Sequence, residues 1–183
     1  RRRNPKDDIM TLLCQVEIDD GDGDHRLEDF EILAFFSLLA TAGNETVTKL
    51  LATAYYWLGK HPDQRKLLLE SPALCKNAVE ETLRLDPPSQ YQGRTLARDA
   101  EVAGRKIPKD AKLLIINGAS GRDPRKFPEP DRYDVQREID LHLGLGHGRH
   151  FCLGASLARL ESRIALQEVL ARIPEYAVDE AGI

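Results

Sequence analysis

Long stretches of helical periodicity alternate along this chain with two stretches that have none. Residues 5–18 carry apolar positions at the spacing of a short amphipathic helix. "DDGDGDH" at 19–25 then reads as an acidic, glycine-rich surface loop, without the further ligands at set spacing that a calcium loop needs. From Leu27 to about Gly59 the helical pattern is unbroken and predicts an element about 50 Å long. "HPDQRKLLLE" and "SPALCKNAVEETLRL" predict two more helices, each with Pro near its start, and "DPP" at 86–88 ends the second.

At Arg94 the texture changes. Residues 94–117 form short alternating runs broken by "AGRKIPKD", which predicts a small antiparallel sheet with tight turns. Residues 118–138 are rich in Pro, Asp and Arg and have no period; irregular segments this long inside compact domains usually serve a function. The irregularity continues through a glycine-rich loop to residue 151. A last helical pattern then runs over Leu153–Ile173, stopped by Pro174. There is no internal repeat and no flexible linker. The expectation is one mainly α-helical domain over 1–183 with a small antiparallel β-sheet, a long central helix at 27–59 and a helix at 152–173.

Composition narrows the class. A chain of 183 residues with 42% apolar and 31% charged side chains supports one core. A net charge of −4 argues against a nucleic-acid binder, and Arg1–Arg3 read as a solvated end. The chain begins without Met and without an apolar targeting segment, as a fragment or processed product would. The run at 30–43 is too short and interrupted to span a bilayer. Cys14, Cys75 and Cys152 are odd in number and scattered, which suggests reduced thiols in an intracellular, cytoplasmic setting.

Four features carry candidate chemistry. In "LGLGHGRHFCLG" at 143–154, Gly146 and Gly148 permit positive φ and close approach of the backbone to a flat or bulky group. Cys152 is expected in the first turn of the following helix, where the dipole favours a thiolate, a metal ligand or nucleophile. Its plain alternative is a buried cysteine after a turn. Arg149 and His150 could bind anions. His142, His147, His150 and Cys152 could instead make a zinc site, although no second ligand pair stands elsewhere. In the long helix, Gly43, Glu45 and Thr46 interrupt an apolar run from Ile32 to Ala42; Thr46 can bond back to the Ala42 carbonyl and open a polar notch. The competing reading is a helix crossing at Gly43. Glu81 and Arg84 share a helix face as a solvated or buried pair.

The order of these features resembles the C-terminal half of a soluble bacterial cytochrome P-450, a haem-thiolate monooxygenase. "AGNET" at 42–46 is similar to the family's oxygen-binding motif and "ETLR" at 81–84 to its E-x-x-R motif. "PEPDRYD" at 128–134 is similar to the segment supplying a second arginine, here Arg132, and "LGHGRHFCLG" at 145–154 to the haem-binding loop. The resemblance implies the C-terminal portion of that fold, an incomplete haem-binding domain. It implies that Cys152 ligates the iron of haem b, favouring O–O cleavage of the co-substrate dioxygen. It makes Gly146, Gly148 and Gly154 part of the cradle, with His150 and Arg94 as propionate partners and Ala42 and Gly43 against the distal face. Thr46 would steady dioxygen and its water and Glu45 would help proton entry, while Glu81, Arg84 and Arg132 would form a buried structural triad.

Two departures stand out: Leu145 replaces the usual Phe near the sulfur, and the chain is far shorter than the family's members. The implied activity is insertion of one oxygen atom into a small apolar substrate. Electrons would come from a ferredoxin and ferredoxin reductase or a similar donor. Leu38, Leu39, Ala42, Ser89, Gln90 and Tyr91 would border the substrate pocket. Arg122, Arg125, Lys126, Arg137 and Arg149 would offer a basic docking face or merely a solvated loop. A haem-binding remnant without turnover and the zinc module are the alternatives.

Overall fold

The computed structural model describes residues 1–19, 21 and 23–182, so Asp20 and Asp22 of the acidic loop lie outside the described residues. The chain divides into two compact units, Arg1–Glu45 and Thr46–Ile183.

The first unit holds α1 (Ile9–Gln15), β1 (Glu17–Asp19), β2 (Asp24–Arg26) and the start of α2 (Asp29–Lys60). The helix expected over 5–18 is thus shorter. Asp8 caps it by accepting from the Thr11 N–H at 2.9 Å, and Val16 is already extended. The next residues alternate as Glu17-Ile18-Asp19 and pair antiparallel with 24–26, where Arg26 meets Glu17 at 2.7 Å across the ladder. The apolar run of α2 is not buried as its pattern suggested. Ile32 is buried, but Leu33, Phe36 and Leu38 are exposed, because a two-turn helix and one hairpin do not cover every face of α2 within this unit.

The second unit is built around α4 (Cys75–Leu85). α2 enters it with Leu50, Ala54 and Leu58, one helical stripe, packed against Leu68 of α3 (Pro62–Glu70) and Ala78, Val79 and Leu83 of α4. Leu166 and Leu170 of α6 (Ala155–Arg172) and Tyr133 and Val135 of the irregular segment complete this cluster. From Ala78 to Leu85 every residue of α4 except Glu80 is buried. α4 stops at Leu85 before Asp86-Pro87-Pro88, as the prolines require.

The expected sheet consists of two separate ladders. β3 (Gln92–Thr95) pairs with β6 (Lys112–Ile115), and β4 (Ala100–Val102) pairs with β5 (Arg105–Ile107), both antiparallel. Ala103 and Gly104, with φ of 50° and 77°, make the two-residue turn between β4 and β5 that matches strand twist. Between α5 (Asn117–Ser120) and the turn at Gly148–His150 the chain is irregular, as its composition predicted.

Candidate functional site

Glu81 and Arg84 are fully buried and joined by two hydrogen bonds, Nε to Oε2 at 2.7 Å and Nη2 to Oε1 at 2.8 Å. Arg84 also donates to the carbonyls of Gly121, Pro130 (2.7 Å) and Arg132 (3.1 Å), so all its N–H donors are used. Phe127 lies under the guanidinium, 5.2 Å from ring centre to Cζ. Glu81 further accepts from the Asp134 N–H at 2.9 Å.

The second arginine at this carboxylate is Arg137 rather than Arg132. Arg137 Nε stands 3.3 Å from Glu81 Oε1 and its side chain is 10% exposed, while that of Arg132 is 55% exposed and bonds Glu129 three residues earlier. Arg132 contributes its carbonyl, which Arg84 and Arg137 both use. A local pair captures Arg132, and the guanidinium of Arg137 reaches back to cap the Pro128 and Glu129 carbonyls as well.

The cysteine loop turns at Gly146 (φ 77°), whose N–H donates to Leu143 O at 2.9 Å, and again at Gly148 (φ 68°). Positive φ at both is readily adopted by glycine and strained for other residues. Cys152 N–H donates to Leu145 O at 2.9 Å, and Cys152 O accepts from Ala155 at 3.2 Å. The cysteine therefore precedes α6 instead of lying in its first turn; Gly154 is the N-cap. The thiol is half-buried and free. Phe151 and Leu153, its neighbours, are exposed, Leu153 by 79%.

The zinc arrangement does not form. Among the described residues no group of three or more His, Cys, Asp or Glu side chains could hold a metal ion. His142 is buried and committed: its Nδ1 accepts from Gly144 N–H at 3.1 Å and its Nε2 meets Glu80 at 2.9 Å. His147 and His150 are exposed.

Arg94 is exposed on β3 and donates to the Gly93 carbonyl at 2.8 Å. Ser89 is half-buried and Tyr91 is exposed, while the Gln90 amide turns back to Asp86 (2.7 Å) and the Pro87 carbonyl (2.8 Å). In the first unit α2 carries Leu38, Leu39, Ala42, Gly43 and Glu45; Thr46 opens the second, and Ala42, Glu45 and Thr46 all make interactions. The five basic residues do not form an open positive face. Arg122 pairs with Asp131 at 2.6 Å, Arg125 with Asp123 at 2.5 Å and Lys126 with Asp140 at 2.8 Å, Arg137 turns inward, and Arg149 is exposed.

Several residues that hold this site have no signature in the sequence. Asn77 Nδ2 donates to the Val135 and Arg137 carbonyls at 2.6 and 3.0 Å, and Gln64 Oε1 accepts from Val135 N–H at 3.0 Å. The Tyr133 hydroxyl bonds Thr82 at 3.0 Å, and burial pushes its pKa well above the usual value. The Tyr133 ring stacks 6.0 Å from Trp57. For Asn77 and Gln64 the only hint is a polar residue inside a helical pattern, while Tyr133 stands within "PEPDRYD".

Comparison with known proteins agrees with this geometry. The family model described as cytochrome P-450 matches residues 68–173. The vitamin D(3) 25-hydroxylase of Pseudonocardia autotrophica is 43% identical over 97% of this chain and 44% of its own length. The 6-deoxyerythronolide B hydroxylase of Saccharopolyspora erythraea is 40% identical over 97% of this chain and 43% of its own length. Among solved structures, ligand-free cytochrome P-450 TbtJ1 superposes with a TM-score of 0.91 at 39% identity, covering all of this chain and 48% of that one. The chain thus spans less than half the length of these relatives. With a family match over more than half its residues and the same fold at close to 40% identity, the chain belongs to the cytochrome P-450 family.

Proposed function

We propose that this chain is part of a haem-thiolate monooxygenase, with Cys152 as the residue that would ligate the iron of haem b. The observation that carries the reading is a half-buried free thiol in a glycine-turned loop, where the described residues gather no group of three or more metal-ligating side chains. A single protein thiolate would suit haem, which carries its iron in a macrocycle, better than an ion that needs four protein ligands. The exposed apolar neighbours Phe151 and Leu153 fit contact with a flat apolar macrocycle. Exposed Arg94 and His150 are suited to its propionates. When bound, haem supplies the activation of dioxygen and its transfer to substrate.

The chain's own residues do the rest. The Cys152 amide, fixed on Leu145 O, sets the backbone on which the sulfur stands. Gly146, Gly148 and Gly154 let that backbone lie close to the cofactor. The Glu81–Arg84 pair holds the segment 121–137 rigid. On α2, by the family resemblance, Glu45 would help proton entry, Thr46 would steady dioxygen and its water, and Ala42 and Gly43 would serve the distal face; Leu38, Leu39 and Ala42 on α2, and Ser89, Gln90 and Tyr91 after α4, are each assigned to substrate contact. The substrate is a small apolar molecule, and electrons come from a ferredoxin and its reductase or a similar donor. Three free thiols suit the cytoplasm, and among the described residues no helix is long and apolar enough to cross a membrane.

The test is the visible spectrum of the purified, reduced protein under carbon monoxide. A strongly red-shifted Soret band that Cys152→His abolishes supports the reading. A band at the shorter wavelength of histidine or protonated-thiol ligation, or no haem uptake, refutes it. Substrate-dependent consumption of electrons then separates a monooxygenase from a haem-binding remnant.

A further inference from the structure

α4 carries two successive glutamates with different partners. Glu81 serves Arg84 and the segment 121–137, as described above. Glu80 bonds to both sides of the cysteine loop. Its Oε1 accepts from Arg159 Nε at 2.6 Å, and its Oε2 accepts from Arg159 Nη2 and His142 Nε2, each at 2.9 Å. Because His142 Nδ1 accepts from the Gly144 N–H, the ring proton stands on Nε2 and is donated to Glu80. Gly144 itself lies against α4 so closely that an added Cβ would come 2.2 Å from the Leu83 carbonyl oxygen. The next residue, Leu145, receives the Cys152 amide. Arg159 lies in the second turn of α6, the helix that leaves the loop.

Charge supports the geometry. Burial pushes Glu80 up, but hydrogen bonds from His142 and Arg159 and the charge of Arg159 hold its pKa at about 2, so it is an anion. Arg159 is raised first by its hydrogen bond to Glu80, against burial, then by the charge of Glu80 and, last, by that of Cys152.

We propose that Glu80 is a positioning residue for Cys152, tying the chain that enters the loop, through His142, to the helix that leaves it, through Arg159. Neither the E-x-x-R pattern nor the loop pattern contains it. This rests on Cys152 being the haem ligand, and the test separates the two.

The experiment compares wild type with Glu80→Ala, Glu80→Gln and His142→Asn in the intact haem-loaded protein, with Arg137→Ala as a contrast acting on the other segment. Amide hydrogen exchange is read over 142–154 and over 121–137, and the reduced carbon monoxide spectrum is read alongside. The expected result is exchange about tenfold faster in 142–154 for Glu80→Ala, with 121–137 unchanged and part of the thiolate band moved to the shorter-wavelength form. Glu80→Gln, which keeps one acceptor oxygen, falls between. His142→Asn loosens the entering arm more than α6, and Arg137→Ala gives the mirror image. Unchanged exchange and spectrum in Glu80→Ala overturn the proposal. So does equal acceleration in both segments, or failure of both Glu80 variants to fold, since each makes Glu80 a general stabiliser. If wild type lacks the thiolate band, the haem reading fails, while the exchange contrast still decides whether Glu80 holds the loop.

Discussion

Two irregular segments of the second unit hang from the same helix, and they are held in opposite ways. The segment 121–137 is bonded at its start and over 130–137 to buried and half-buried side chains. Arg84 takes carbonyls at 121, 130 and 132, Glu81 takes the amide at 134, and Asn77 and Gln64 fix 135. Phe127, Tyr133 and Val135 are buried with it. The loop 142–154 bonds mostly to itself, through Gly146 to Leu143, Phe151 to Gly148 and Cys152 to Leu145. Its outside hold is concentrated at its base, where Glu80 meets His142 and Arg159, and residues 147–151 are exposed. The difference separates a floor from a grip. A segment whose backbone polar groups are satisfied by protein is rigid and has nothing to offer a ligand. A loop fixed at its base and by its own hydrogen bonds leaves residues 147–151 exposed, and the half-buried Cys152 follows directly after them.

The largest break in this contrast is expected at the floor. Arg84→Ala leaves Glu81 buried with a weaker partner, strips the carbonyls at 121 and 130 of their donor, and takes one of two donors from the carbonyl at 132. Breaking a buried pair this way costs about 3–5 kcal/mol. Denaturant unfolding should show a loss of that size. A paired Glu81→Leu, Arg84→Met variant should recover little of it. In a simple buried pair, apolar replacement of both partners is often neutral, but here the carbonyls of Gly121 and Pro130 lose their donor while that of Arg132 keeps only Arg137. Full recovery in the double variant would show that the charges and not the carbonyls dominate.

The next effect is acid weakening of the grip. Glu80 is held at about 2 in the folded chain against an ordinary 4.5, so its contribution is complete above pH 4.5 and is lost as pH falls toward 2. Glu80→Gln has no such proton to take up. The stability difference between wild type and Glu80→Gln should therefore be largest at neutral pH and shrink steadily from pH 4.5 to about 2. A difference that stays constant across that window would mean that the carboxylate charge contributes nothing to the clamp.

The elements were legible where the physics is local. Pro62 and Pro72 open the helical turns that follow them, Pro87 and Pro88 mark where α4 stops, and the i,i+3 spacing put Glu81 beside Arg84. α2 could be read almost to the residue because thirty-odd helical positions leave little room for another period. The β1–β2 hairpin was missed because three-residue strands carry too little alternation to outvote a helix. The start of α6 was misplaced because Cys152, Leu153 and Gly154 continue the helical pattern while their backbone turns. The site followed the same division. Cys152 and its glycines are contiguous and could be read, whereas Glu80, Asn77, Gln64 and Arg137 act on partners more than fifty residues away, which spacing cannot show.

Arg132 and Arg137 give the finest test, since both stand on the same segment and either could have been the second arginine. Arg137→Ala removes a part-buried donor from the buried Glu81 Oε1, which water replaces only incompletely, and exposed donors from the carbonyls of 128, 129 and 132. The loss should be about 1–3 kcal/mol. Arg132→Ala removes only an exposed pair with Glu129, and its carbonyl, which the other two arginines use, stays in place. It should cost about 0.5 kcal/mol or less. Denaturant midpoints of the two single variants and of the double variant decide the matter. If Arg132 alone costs as much as Arg137, its side chain reaches Glu81 in solution and the floor has a third guanidinium. If the double variant equals Arg137→Ala, the exposed arginine contributes to the segment through its backbone alone.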